Sequence, residues 1–186
     1  KMCRARHDIL NGPIYSGIFE RNALSFDLFL DTNIAGKRFL FSHAGITSRW
    51  LSTVGKGNLD QTLQWLKTGL MEFCLDRTKD EVWGYLAHIG EERGGNSQSG
   101  SIIWADFFEH MDKSNWLDDE NLIQVVGHTQ LNYHPASVGS RLYCLDCREP
   151  FYIDSEGVIR SWQTDEDIAR MLAGNTLLLA YNAHFD

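Results

Sequence analysis

The stretch Lys37-Arg-Phe-Leu-Phe-Ser-His43-Ala-Gly-Ile46 decides how the chain is to be read. Phe39, Leu40 and Phe41 form a short apolar run after the turn-like pair Ala35-Gly36, and such a run reads as a buried strand. A chain leaving such a strand presents its first polar side chain at the C-terminal edge of the sheet, where open α/β sheets place their ligands. His43 stands at that edge. Ala44 and Gly45 after it leave room for a ligand to approach the backbone.

The stretch Leu122-Ile-Gln-Val-Val-Gly127-His128-Thr129-Gln130 repeats the same grammar, an apolar strand running into Gly-His. Either histidine alone is an ordinary loop residue. Two strand-end histidines on neighbouring strands can put two imidazoles on one metal ion, which a single one cannot do.

F-S-H-A-G-I-T followed by Trp50, I-I-W-A-D from Ile102 to Asp106, and V-V-G-H-T-Q from Val125 to Gln130 occur in that order. From about Ser16 to Trp162 the chain thereby resembles the C-terminal part of a calcineurin-like metallophosphoesterase. The nearest branch is that of the Ser/Thr protein phosphatases and diadenosine-tetraphosphate hydrolases. The resemblance implies an α/β fold, part of a sandwich of two β-sheets flanked by helices. It implies that His43 and His128 bind one metal of a two-metal centre, with Mn, Fe or Zn as the divalent ions. It also implies metal-dependent phosphoester hydrolysis, with a phosphoprotein or a nucleotide as the phosphorylated substrate. In that family D-x-H, G-D-x-x-D-R-G and G-N-H-(D/E) motifs supply the remaining ligands and the catalytic His, and none of them precedes His43 here. The nearest approach is Ala5-Arg6-His7-Asp8, where a cation replaces the liganding Asn and would repel a metal, so His7 is not counted. The expectation is that residues 1–186 are one domain, the C-terminal portion of a longer catalytic domain. Such a portion would supply the histidines of one metal and be inactive alone. The alternative is a non-catalytic α/β binding or interaction module whose histidines are structural.

A chain of 186 residues with 43% hydrophobic content is long enough for one domain with a real core. A net charge of −8 argues against a nucleic-acid polymer or an anionic membrane as partner. No apolar run approaches a bilayer-spanning length and no signal peptide opens the chain, so a cytoplasmic location is expected. The 4 cysteines do not make a disulfide framework at this size. Cys144-Leu-Asp-Cys147 has zinc or redox spacing, but it lies in a strand-like run with no second such pair, so reduced thiols in a core are expected.

Along the chain, residues 26–30 and 37–42 predict two strands joined through residues 31–36. Residues 47–57 predict a loop broken by Gly55 and Gly57. Asn58 predicts a helix cap, with Leu59, Leu63, Leu66, Leu70 and Phe73 forming one apolar stripe. A second helix is predicted over residues 79–89. Arg93 lies in the loop-like run of residues 91–100, where a planar cationic fork either reaches a substrate phosphate or sits on a flexible surface. Asp106 either orients a liganding histidine from behind or caps a helix over residues 107–111. His134 reads as a loop histidine. Strands are predicted at residues 142–145, 151–153, 158–162 and 175–180, with a hairpin turn at residues 154–157. A helix capped by Thr164 is predicted over residues 165–172.

Overall fold

The computed structural model describes residues 22, 25, 27–76, 78–131, 135–161 and 177–180. Strand β1 (Phe29–Ile34) pairs antiparallel with β2 (Lys37–Ser42), Ile34 standing opposite Lys37. Only Ala35 and Gly36 connect them, with φ of 51° and 77°. Two positive φ angles are what a tight primed hairpin turn requires, because its twist matches that of the strands. The first strand therefore runs four residues further than predicted and the six-residue connection does not exist. Asp31 and Asn33 look like turn formers. Asp31 is instead held in the strand by Arg38, whose Nε and Nη2 lie 2.9 and 2.6 Å from its carboxylate.

The predicted loop of residues 47–57 contains helix α1 (Ser48–Val54). Thr47 accepts the N–H of Trp50 as its cap, and Gly55 ends it in the left-handed conformation. Helix α2 (Leu59–Leu75) starts where Asn58 predicts, and Asn58 and Gln61 form a reciprocal capping box. Helix α3 (Glu81–Leu86) is shorter than predicted, and Asp80 before it makes no capping bond with its side chain.

Strand β3 (Leu122–Val126) lies parallel to β2, and β5 (Leu142–Cys144) lies parallel to β3. An unpredicted strand β4 (Ala136–Val138) closes the sheet in the order β1-β2-β3-β5-β4. A smaller sheet has the order β7-β6-β8, built from β6 (Phe151–Ile153), β7 (Ile159–Ser161) and β8 (Leu177–Ala180). The β6–β7 hairpin is turned where the sequence predicts, Asp154 Oδ1 accepting the N–H groups of Glu156 and Val158. The predicted helix over residues 165–172, His7 and His134 lie outside the described residues.

Alternation along the strands sends side chains to two separate cores. Leu40 and Leu122 pack with Trp50, Val54, Leu63, Leu66, Val82 and Leu86, so the helices cover one face of the larger sheet. Phe39 and Val125 pack with Leu145, Phe151 and Ile153, so the smaller sheet covers the other. Full burial of side chains such as Phe39 and Leu40 is worth about 1.5–3 kcal/mol each. The architecture is thus mixed α/β, a five-stranded mixed sheet with helices and a small second sheet. Among the described residues no helix is long and apolar enough to cross a membrane.

Candidate metal centre

Parallel pairing fixes what meets at the C-terminal edge of the larger sheet. Phe41 is opposite Val125, which carries His43 alongside Gly127, and Gly127 N–H donates to the His43 carbonyl at 3.0 Å. His128 follows at once with φ of 65°. That left-handed turn swings its ring towards His43, and the structure brings the two predicted residues together. His128 Nδ1 and His43 Nε2 are 2.6 Å apart, the rings tilted by 65° with centroids 4.5 Å apart. The edge contact of Trp104 on the His128 ring, at 5.6 Å and 89°, covers one side of the pair.

Both rings are biased towards the neutral form. Burial pushes the His128 pKa down to about 4, helped by the positive charge of Arg93 and by His43, while Asp106 opposes. His43 is lowered chiefly by burial, with Asp146 opposing and Arg93 assisting. A neutral imidazole keeps one lone pair, the form that ligates metals. At 2.6 Å the facing nitrogens either share one proton in an N–H···N bond or turn both lone pairs towards a cation. Two nitrogens on one ion at ~2.0–2.1 Å and a tetrahedral angle would stand roughly 3.4 Å apart, so the rings need separate by less than about 1 Å. The donor set fits the two-histidine half of a metal centre. It does not make a complete one, because among the described residues no group of three His, Cys, Asp or Glu side chains is placed to hold an ion.

The other predicted site residues have partners within the protein. Arg93 closes the short turn Glu91–Arg93, and its Nη2 donates to the His128 carbonyl at 3.2 Å and to Thr129 Oγ1 at 2.8 Å. Its Nε lies 2.6 Å from Asp106 Oδ2. Asp106 caps a 3-10 turn, Phe107–Met111, its side chain accepting the N–H of Phe108 in a capping box with Glu109. Of the two roles weighed for Asp106, the cap is therefore formed, and its contact towards the histidines runs through Arg93. Gly45 does not open space for a ligand: with φ of 90°, a Cβ there would meet His110 Nε2 at 2.8 Å. His110 instead fills that space and donates from Nε2 to the Ala44 carbonyl at 3.2 Å.

Three residues escaped the sequence reading. Gln124 is buried in β3, and its amide grips Ile46, accepting the N–H at 2.8 Å and donating to the carbonyl at 2.9 Å. Thr129 Oγ1 accepts both Arg93 and the N–H of Phe107. Asp146 follows β5 as His128 follows β3, Val126 being opposite Cys144. A Cβ on Gly127 would lie 3.9 Å from that of Asp146, so this carboxylate belongs to the same edge. Only the parallel register reveals it, and a single sequence does not carry that register.

Cys144 and Cys147 are fully buried, the placement expected of core thiols. Burial pushes Cys144 up to about 11. A groove of about 490 Å³ lies between β1 and α2, lined by apolar residues such as Leu63 and Met71 and by Asp27, Asp60 and Lys67, and does not include the histidine pair. Comparison with protein-family models, curated proteins and solved structures returns no match to this chain.

Proposed function

We propose that this chain supplies the two-histidine half of a metal-dependent phosphoesterase centre of the calcineurin-like metallophosphoesterase class. The observation that carries the reading is the facing of His43 Nε2 and His128 Nδ1 at 2.6 Å, at the ends of adjacent parallel strands. The arrangement of two sheets with helices on one face supports it, since a sandwich of that class needs such a C-terminal part. A divalent Mn, Fe or Zn ion held there would supply a Lewis-acidic charge for a phosphoryl oxygen. The chain's own residues bias both rings towards the neutral form, cover one side with Trp104, and place the Arg93 guanidinium beside the His128 carbonyl. The substrate class is a phosphorylated one, protein or nucleotide.

A second reading has its own support. The separation of 2.6 Å is a hydrogen-bond distance, and a lone N–H···N pair would suit a non-catalytic α/β interaction module. Calorimetric titration of the chelator-stripped chain with Mn²⁺ and Zn²⁺ separates the two. The metal reading expects one ion bound, and no binding in either His43→Ala or His128→Ala. Equal binding by wild type and both variants, or none by wild type, overturns it. Because no group of three His, Cys, Asp or Glu side chains is placed to hold an ion among the described residues, Mn²⁺-dependent hydrolysis of an aryl phosphate by this chain alone should be absent.

A further inference from the structure

Arg93 does more at this edge than lend positive charge. Its guanidinium ties together three segments that are distant in sequence: its own turn, the cap at Asp106, and residues 128–129. The anchor is firm, because the Asp106 side chain is only 8% exposed and its cap is fixed by its bond from Phe108. The object of the grip is the carbonyl of His128, a residue whose φ of 65° suits glycine better than a branched side chain. With φ held at that value, fixing the carbonyl fixes ψ and with it the direction of the Cα–Cβ bond from which the ring extends. Holding the carbonyl at 3.2 Å therefore holds the imidazole against His43. Thr129 Oγ1 shares the same Nη2 and also takes the N–H of Phe107, which fixes the next residue as well. A planar fork suits this work, since its donors are rigidly spaced, whereas an ammonium is a single point.

We infer that Arg93 is a positioning residue for His128, acting through the carbonyl, and not a group that grips the phosphoryl of a substrate. This rests on the metal reading only for the part of its test that uses metal. The discriminating state is the substrate-free chain, where a substrate-gripping arginine has nothing to do.

Two charge-balanced variants separate geometry from electrostatics. Arg93→Lys keeps the charge and loses the fork. Arg93→Gln with Asp106→Asn removes both charges and keeps a capping side chain, so a folded protein is obtained even where the single variant fails. Two readouts are made on each: the Mn²⁺ dissociation constant by titration calorimetry, and cross-relaxation between the His43 and His128 ring protons in the metal-free chain. The expected result is Mn²⁺ binding weakened about 10–100-fold, as for other groups that orient ligands from behind, together with disappearance of the cross-relaxation between the two rings. Mn²⁺ affinity within twofold of wild type and undiminished cross-relaxation in both variants would overturn the inference. So would weakened binding with undiminished cross-relaxation, which assigns Arg93 to the field alone. If wild type binds no Mn²⁺, the phosphoesterase reading falls and the cross-relaxation decides the role of Arg93 by itself.

Discussion

Replacing Gln124 by Leu should destabilise the chain by about 2–4 kcal/mol, a figure that rests on two hydrogen bonds. β2 ends at Ser42, so Ile46 has no strand neighbour for its backbone, yet Ile46 is fully buried. The Gln124 side chain takes the place of that neighbour. Its Oε1 accepts the Ile46 N–H at 2.8 Å and its Nε2 donates to the Ile46 carbonyl at 2.9 Å. A leucine of similar volume makes neither bond. Each backbone group left buried without a partner costs about 1–3 kcal/mol. At mid-range the two groups cost about 4 kcal/mol and the leucine returns about 1.5 kcal/mol of apolar transfer, which leaves about 2.5 kcal/mol, inside the stated range. For a chain of this length about 2–4 °C of melting temperature is lost per kcal/mol, so a fall of roughly 5–15 °C is expected. Urea unfolding followed by circular dichroism and by tryptophan fluorescence measures it. Because Ile46 lies three residues after His43, Mn²⁺ binding should weaken in parallel. A Gln124→Leu chain within about 0.5 kcal/mol of wild type would refute the reasoning, since it would mean that Ile46 finds other partners when the clamp is removed.

Asp146→Asn should lower the titration midpoint of His43 in the metal-free chain, because the carboxylate favours the protonated ring; histidine ring shifts followed by NMR against pH show it, and an unchanged midpoint would place the Asp146 charge elsewhere. His110 is buried and its pKa is lowered by that burial. Below its ordinary value near 6.5 the unfolded chain binds a proton that the folded chain does not, so stability is full above that pH and falls as the pH drops through the window beneath it. The loss of unfolding free energy between pH 7 and pH 5 should shrink in His110→Gln, whose amide can still donate to the Ala44 carbonyl; His43 and His128 act with the same sign, so the slope should not vanish, and an identical slope would count against the assignment. Cys144 and Cys147 should react with an aromatic disulfide reagent at pH 8 far more slowly than the half-buried Cys74, and rapid modification of both would contradict their burial.

Strands β2 and β3 and the histidine pair were legible because they follow from local pattern. Phe39-Leu40-Phe41 and Val125-Val126 are apolar runs each followed by a small residue, and a parallel sheet buried on both faces needs such runs. Asn58 announced its helix because a capping box is a four-residue device, readable without any tertiary structure. What stayed hidden depends on register or on distant chain. Helix α1 was hidden behind Gly55, which reads as a loop breaker and serves as a helix stop. Gln124 looked like a polar interruption in a buried strand, and its purpose is visible only once Ile46 lies over it. Arg93 was legible as a cation near the site, but its fork is spent on His128, Thr129 and Asp106, partners that no spacing encodes.

His128 combines two departures from local rules, where Glu109, Gln124 and His110 show neither. Glu109 accepts from Ser99, Gly100 and Asp106, at 2.6, 2.9 and 3.1 Å, and Gln124 and His110 are likewise bonded. His128 holds a left-handed backbone and a buried Nε2 with no hydrogen-bond partner. These cost about 1–2 and about 1–3 kcal/mol. A single N–H···N bond to His43 returns only about 0.5–1.5 kcal/mol, and the edge contact with Trp104 adds about as much. The turn itself does not ask for an imidazole, since glycine would adopt it without strain. His128→Gly should therefore leave the chelated chain no less stable than wild type, or more stable by about 1–2 kcal/mol. It should also abolish the stabilisation by Mn²⁺ that the proposed metal site would give the wild type. Urea unfolding with and without chelator measures both effects in one set of curves. Loss of more than about 1 kcal/mol in the chelated variant would show that the ring supports the fold itself, and the excess cost assigned to His128 would then have been miscounted.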